Sequence, residues 1–309
     1  MAIDHLGDGL LTRARARAGG VSDQELASSV RRGELVRLQR GAYMPAEPAS
    51  AELRYRSCIL ATAAGLSVPG AVSHVSAAVL HGLPVHRIPL ERLHVVRRPP
   101  AAGSGSARVH VHVARLPPEE VVELDGLAVT SVTRAVVDVA RSAGFESAVV
   151  TADAALARRH TTEADLLDCL ARMGPVPGSR RAARVLAFAD GLSESVGESR
   201  SRVVLHRLAL PAPALQVPVW RPDGRLIGRC DFGWEEVRTV GEFDGQVKYG
   251  RLLRRGQSAG EAVYEEKLRE DELRDAGREV VRWTWADVST PAVIAQRLLR
   301  AFHRGGRRP

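Results

Sequence analysis

Four strand-like runs interrupted by one long amphipathic helix constrain residues 216–285 more than any other feature of this chain. Residues 216–220, 226–234 and 237–244 alternate apolar and polar positions, as half-buried strands do. Pro222-Asp223-Gly224 reads as the turn between the first two. An amphipathic helix follows over 262–275, Gly277 terminates it, and 279–285 returns to strand spacing. A helix capped by Ser193 and running to about Leu208 precedes the strands, and one over 290–302 closes the series. That order predicts an α/β domain with a mixed sheet flanked by helices. Aromatic residues are scarce, yet Trp220, Trp234, Trp283 and Trp285 all fall here, so the best-defined core is expected in this part.

At 309 residues the chain has room for two or three domains. We divide it into 1–48, 49–185, 186–303 and a basic tail at 304–309. In the first part Thr12 caps a helix over 13–18, and Gly19-Gly20 stops it. Ser22-Asp23-Gln24-Glu25 matches a capping box that opens a second helix, with Leu26 and Val30 on one face and an end near Gly33. Residues 35–43 then read as a strand and its turn. A helix, a tight glycine turn, a capped helix and a basic hairpin compose a winged helix-turn-helix. Arg31, Arg32, Arg37 and Arg40 would neutralise phosphates, and Gln24, Ser28 and Ser29 would reach base edges. The competing reading is a helical cap with a solvated arginine face.

The middle region reads as α+β. Helices are predicted over 52–64, 73–81, 133–143, 148–158 and 162–173, and 93–97 and 109–113 alternate like paired strands. His74, His81, His86, His94, His110 and His112 gather here, with His110 and His112 on one strand face. Carboxylate or cysteine partners at metal-ligand spacing are missing, so these are read as surface or hydrogen-bonded histidines rather than a metal site.

The net charge of +8 favours an anionic partner, DNA above all, over an arginine-rich protein without one. Cys58, Cys169 and Cys230 are too far apart for a zinc motif or a disulfide framework. No signal peptide or membrane-spanning run is expected, and a cytoplasmic location fits.

Of the 44 basic residues only Lys248 and Lys267 are lysines, and both lie in a stretch dense in carboxylates. An ammonium is a point charge that a flat guanidinium does not replace. Asp231 on the second strand and Glu242 at the end of the third converge at one sheet end if those strands are antiparallel neighbours. Asp244 points to the same face as Glu242, and Glu198 on the preceding helix adds an oxygen. Converging carboxylates call for a cation, and hard oxygen ligands favour Mg²⁺ or Mn²⁺, which can activate water against a phosphodiester. The alternative is an acidic strand end facing solvent.

Glu198, Asp231 and Glu242 in this setting resemble the core of the PD-(D/E)XK nucleases. Asp231-Phe232, Glu242-Phe243-Asp244-Gly245, Glu266-Lys267-Leu268-Arg269, Gly277 and Val281-Arg282-Trp283 are similar to the very-short-patch-repair-like branch over roughly 110 residues. The resemblance implies a restriction-endonuclease-like fold, with Asp231, Glu242 and Glu198 as metal ligands. That superfamily carries a lysine where Asp244 stands, so Lys248 or Lys267 would have to supply the ammonium. Lys267 is favoured for its helical anchor. The other implication is a nuclease fold retained for binding.

Gly33 to Tyr43, His74 to Pro84, Asp125 to Thr130 and Thr133 to Asp138 resemble AbiEi-type antitoxins of type IV toxin–antitoxin systems, over about 140 residues. This resemblance implies a winged helix, DNA binding, transcriptional autorepression and, in some members, antitoxicity towards a cognate toxin. Two functions are therefore expected in competition, with a pure protein-interaction scaffold as a third reading. One is a DNA-binding metal-dependent endonuclease, a hydrolase. The other is a non-enzymatic repressor or antitoxin with a degenerate nuclease fold.

Overall fold

The computed structural model describes residues 9–46, 50–63, 70–101, 103, 105–245 and 259–306. The chain forms two compact units, Met1–Ala189 and Asp190–Pro309, each α/β in character. The division falls four residues beyond the expected boundary at 185/186. Residues 1–48 and 49–185, expected as separate domains, belong to the same unit.

The first unit opens with β1 (Leu11–Thr12), α1 (Arg13–Ala18), α2 (Asp23–Arg31), β2 (Leu35–Gln39) and β3 (Ala42–Pro45). Both helix starts are set by their sequence. The Thr12 hydroxyl accepts from the Arg15 amide at 3.2 Å. Ser22 and Glu25 close a reciprocal box, with the Ser22 amide donating to Glu25 at 2.7 Å. Gly41 makes the hairpin turn at φ +80°, which a residue without Cβ adopts freely. The hairpin β2–β3 is antiparallel, and β1 pairs with β3, giving the order β1-β3-β2. Leu11, Ala16, Leu26 and Leu35 fill the space between this sheet and the helices. The two-residue strand β1 escaped the sequence reading because it is too short to show a period.

The rest of the unit comprises α3 (Ala51–Ala63), β4 (Ala71–Val72), α4 (His74–Leu80), β5 (Leu93–Arg97), β6 (Val109–Val113), β7 (Val121–Leu124) and β8 (Leu127–Thr130). The helices α5 (Val132–Ser142), α6 (Phe145–Ala157), α7 (Glu163–Met173) and α8 (Ser179–Phe188) follow. The sheet order is β6-β5-β4-β8-β7. The pair β5–β6 is parallel, with His94 opposite His110 and Val96 opposite His112. Arg134 on α5 is fully buried, held by Glu120 at 2.6 Å, Asp138 at 3.0 Å and the Arg115 carbonyl at 3.1 Å. A buried guanidinium with this many acceptors is a compensated charge.

The second unit runs α9 (Val196–Arg207), β9 (Ala214–Trp220), β10 (Leu226–Trp234), β11 (Thr239–Asp244), α10 (Ala259–Asp275), β12 (Glu279–Thr284), α11 (Trp285–Val288) and α12 (Pro291–Gly305). The sheet order β12-β11-β10-β9 is mixed, because β11 and β12 are parallel while the other pairs are antiparallel. Ser195, not Ser193, caps α9, because only Ser195 precedes Glu198 by the three residues a cap hydrogen bond spans. Helix α12 continues to Gly305, so part of the expected tail is helical, and residues 307–309 lie outside the described set.

The two sheet faces carry different cores. Phe232, Trp234, Phe243, Val281 and Trp283 pack with Val204 and Leu205 of α9 and Ile294 and Leu298 of α12. Val219, Cys230 and Val240 pack under Leu273 of α10. Gly197 lets α9 press on β11, since a Cβ there would collide with the Phe243 ring. That close approach fixes the position of Glu198.

Candidate functional site

The carboxylates singled out in the sequence occupy one neighbourhood, and their partners come from the protein itself. Asp231 accepts from the Phe243 amide at 2.8 Å, so its carboxylate crosses from β10 to β11 beside Glu242. Gln216 lies on β9 between the pairs Val217–Cys230 and Leu215–Phe232, which sets it opposite Asp231. Its amide donates to Glu198 at 2.8 Å. Glu198 also accepts from the Glu194 amide at 2.9 Å and the Ser195 hydroxyl at 2.6 Å, which makes it part of its helix cap.

Glu242 is buried and points towards α10. Arg269 of α10 donates to both its oxygens, at 2.7 and 2.9 Å, and Arg282 of β12 lies 2.9 Å from Oε2. Glu266 joins the same two arginines, and Glu270 lies 3.3 Å from Arg282. Burial lowers the pKa of Arg269, but Glu266 and Glu242 outweigh it and raise the value above that of a free guanidinium. Burial raises the pKa of Glu266, but Arg269 and Arg282 outweigh it and hold the group below its ordinary value. The arrangement is a hydrogen-bonded ion-pair network of three acids and two arginines.

A hard dication does not fit this donor set. Mg²⁺ needs open carboxylate oxygens at about 2.1 Å, whereas two guanidinium groups already sit on Glu242. Glu198 and Asp231 spend oxygens on cap, side-chain and backbone donors. Among the described residues, these acids form no group of three whose ligand atoms lie within 4.8 Å of one another. Asp244 is half-buried on the same side of β11 as Glu242.

Lys267 makes no contact with this network among the described residues. Lys267 is exposed, while Glu266, Arg269, Glu270 and Leu273 of the same helix turn inward at the i, i+3, i+4, i+7 spacing. Position 267 is about 100° around the helix from 266, which carries it off the inward stripe. Lys248 lies outside the described residues. Sequence reasoning missed the roles of Arg269 and Arg282, although the Glu266, Arg269, Glu270 spacing was a signal that an inward ion-pair stripe was being built.

In the N-terminal part, Gln24, Ala27, Ser28 and Arg31 follow one another along α2 at helical spacing, opposite the buried Leu26. Gln24, Ala27 and Arg31 are exposed and Ser28 half-buried. Arg37 and Arg40 are exposed on the hairpin. Three of the expected contact residues are engaged locally. Arg32 forks onto Glu34 at 2.6 and 2.9 Å and donates to Ser28 at 2.6 Å and Ser29 at 3.1 Å, and Ser29 is buried. That network ties the end of α2 to the start of β2.

A second cluster was not expected as a site. His74, His94 and His112 bring one ring nitrogen each to within 4.8 Å of one another, the one such trio of His, Cys, Asp or Glu among the described residues. His94 Nδ1 and His112 Nε2 are 3.0 Å apart, and the His74 and His112 rings stack with centroids 3.6 Å apart. Burial, with neighbouring positive charge, holds His74 well below the ordinary histidine value, and pushes His94 down to about 4 and His112 to about 3. All three are therefore neutral near neutral pH, each with an unprotonated ring nitrogen. His74, His94 and His110 line a cleft of about 420 Å³ together with Arg87, Glu91 and Arg92. The histidines were visible in the sequence, but the parallel register that aligns His94 with the His110–His112 pair was not.

The two units and their sheets define a multi-domain α/β protein. No family model matches the chain. It is 29% identical over 286 residues to the uncharacterized protein Rv2248 of Mycobacterium tuberculosis (strain H37Rv), covering 91% of this chain and 97% of that protein. The same figures hold for the uncharacterized protein MT2308 of the CDC 1551 strain. A crystal structure of the RV2827C protein from Mycobacterium tuberculosis aligns with a TM-score of 0.37 and 17% identity, covering 72% of this chain and 86% of that one. Among the described residues no helix is long and apolar enough to cross a membrane.

Proposed function

We propose that the chain is a DNA-binding regulator whose N-terminal winged helix engages duplex DNA and whose PD-(D/E)XK-like C-terminal unit binds rather than cuts. The observation that carries this reading is the outward stripe of Gln24, Ala27 and Arg31 beside the exposed Arg37 and Arg40. Helix α2 directly precedes the hairpin, and β1 pairs with the hairpin's return strand, the order in which a winged helix presents its recognition helix and wing. An arginine at the helix end and two on the hairpin suit phosphates on either side of a groove, while Gln24 suits a base edge. The net charge of +8 supports the same partner. The resemblance to AbiEi-type antitoxins extends the proposal to autorepression in the cytoplasm, with a cognate toxin as protein partner. The arginines on Glu242 favour a binding role for the second unit over metal-dependent hydrolysis.

The test is fluorescence anisotropy of the full chain with duplex DNA from its own upstream region and with scrambled duplex, across a salt series. Wild type is expected to bind both and to prefer the first. Arg37→Ala with Arg40→Ala should flatten the plot of log K against log salt by about 0.9 for each lost phosphate contact. An unchanged slope, or no binding at low salt, would remove the reading.

A further inference from the structure

The histidine trio belongs to the first unit, whereas the carboxylates that the nuclease resemblance singled out belong to the second. His74 is the first residue of α4 and holds φ +54°, a left-handed conformation that residues with a Cβ rarely adopt. Its Nδ1 is 3.0 Å from the Ser73 hydroxyl and 3.9 Å from Asp138 Oδ2. Asp138 is fully buried and is held in turn by Arg134 and Arg141, each at 3.0 Å. The Ser73 hydroxyl, the hydrogen-bond partner of that nitrogen, orients the imidazole so that its other nitrogen can coordinate, and Asp138 adds negative charge behind it. On the opposite wall, β5 and β6 run parallel with His94, His110 and His112 on one face. His94 Nδ1 and His112 Nε2 are separated by 3.0 Å, close to the edge of about 3.3 Å between two nitrogens on one tetrahedral zinc ion.

We propose that His74, His94 and His112 bind one divalent transition-metal ion, zinc foremost, with a further coordination position open to the adjoining cleft. Three imidazoles without a carboxylate in the first set select zinc, cobalt, nickel or copper over magnesium or calcium. The His74 and His112 rings stack with centroids 3.6 Å apart, so binding one ion requires them to rotate about their broad χ2 torsions until their lone pairs converge. His110 stacks on His112 at 4.2 Å and closes the outer side of the set. Three protein ligands plus one open position is the pattern of a site that takes water or an exchangeable ligand rather than a closed structural site. Arg87 and Arg92 in the cleft wall make an anionic oxygen the class of group that takes the open position.

The experiment uses the full chain without an affinity tag, stripped by a chelator and titrated with Co²⁺ while the visible d–d bands are followed, then with Zn²⁺ in competition. One ion per chain is expected, with intense tetrahedral cobalt bands that zinc abolishes. His94→Gln with His112→Gln should weaken binding more than about 100-fold, beyond the ten- to hundred-fold that loss of an outer-shell partner causes. His160→Gln should leave it unchanged. X-ray absorption of zinc-loaded wild type should show three imidazoles and oxygen, and it requires no variant to fold. No binding, fewer than three imidazoles, or equal affinity in the double variant would overturn the assignment.

Discussion

One guanidinium nitrogen of Arg269 donates to both oxygens of Glu242, at 2.7 and 2.9 Å. Glu242 is buried on the face of β11 that α10 covers, and Arg282 approaches it from β12. The contact therefore ties α10 to the sheet through a charge that water reaches poorly. Removing the cation leaves that carboxylate buried with half its compensation. Arg269→Met should destabilise the second unit by about 3–5 kcal/mol, the cost of breaking one partner of a buried pair. Arg269→Met combined with Glu242→Leu should recover much of the loss. Urea unfolding of the full chain checks both, and equal stability of Arg269→Met and wild type would show that the pair is only incidental.

The same network gives a pH dependence with a definite sign. Burial raises the pKa of Glu266, yet Arg269 and Arg282 hold it below its ordinary value of 4.5. Asp287 behaves alike: burial raises it, and the Thr284 cap and Arg297 bring it below its ordinary 3.8. A carboxylate whose folded pKa lies below its unfolded one adds stability above the unfolded value and loses it as pH falls through the folded value. Stability of the second unit should thus be level near about pH 7 and decline below about pH 4.5. Glu266→Gln should be less stable at neutral pH and show a shallower acid decline. Urea midpoints across that range provide the measurement; parallel curves for the two proteins would count against the pairing.

How far the sequence carried each conclusion depends on the range of the interaction. Strand β10 spans Leu226–Trp234, the stretch expected from alternation, because its period is written in neighbouring residues. The Ser22–Glu25 box was equally local. The placement of Asp231 and Glu242 at one strand end followed from antiparallel pairing of β10 and β11. What escaped was long-range. Nothing adjacent to Glu242 in the chain indicates that Arg269 and Arg282 would take its oxygens. Lys267 drew attention by its rarity, but one step around the helix separates it from the inward face. Ser28, Ser29 and Arg32, expected as contact residues, are drawn together because Arg32 donates to both serines and to Glu34.

That local closure separates two kinds of residue at the proposed DNA surface. Gln24 and Arg31 are exposed on the stripe of α2, whereas Arg32 braces the turn into β2. Gln24→Ala should relax the preference for the cognate duplex by about 1–3 kcal/mol while leaving the salt slope in place. Arg31→Ala should weaken cognate and scrambled duplex alike. Arg32→Ala should lower thermal stability of the first unit before it changes any affinity at low temperature. Competition anisotropy and a thermal melt distinguish the three, and an Arg32→Ala protein of full stability with lost DNA binding would reassign that residue to the interface.

The choice between binding and cutting rests on Asp231. Its carboxylate accepts from the Phe243 amide, so in this fold it fixes the spacing of β10 and β11 where they meet Glu242. A metal ion there would share that carboxylate with the Phe243 amide and sit near the arginines that already hold Glu242, Arg269 and Arg282. The two guanidinium groups offset the attraction of the carboxylates for a dication, since at an effective dielectric constant of about 20 each unit charge 4 Å away contributes about 4 kcal/mol of repulsion. Supercoiled plasmid incubated with the full chain and Mg²⁺ or Mn²⁺ should therefore be nicked no faster by wild type than by Asp231→Ala. The substitution should appear instead as lowered stability of the second unit. Metal-dependent nicking that disappears in Asp231→Ala would restore the hydrolytic reading, and it would require the two arginines to leave Glu242 when DNA binds.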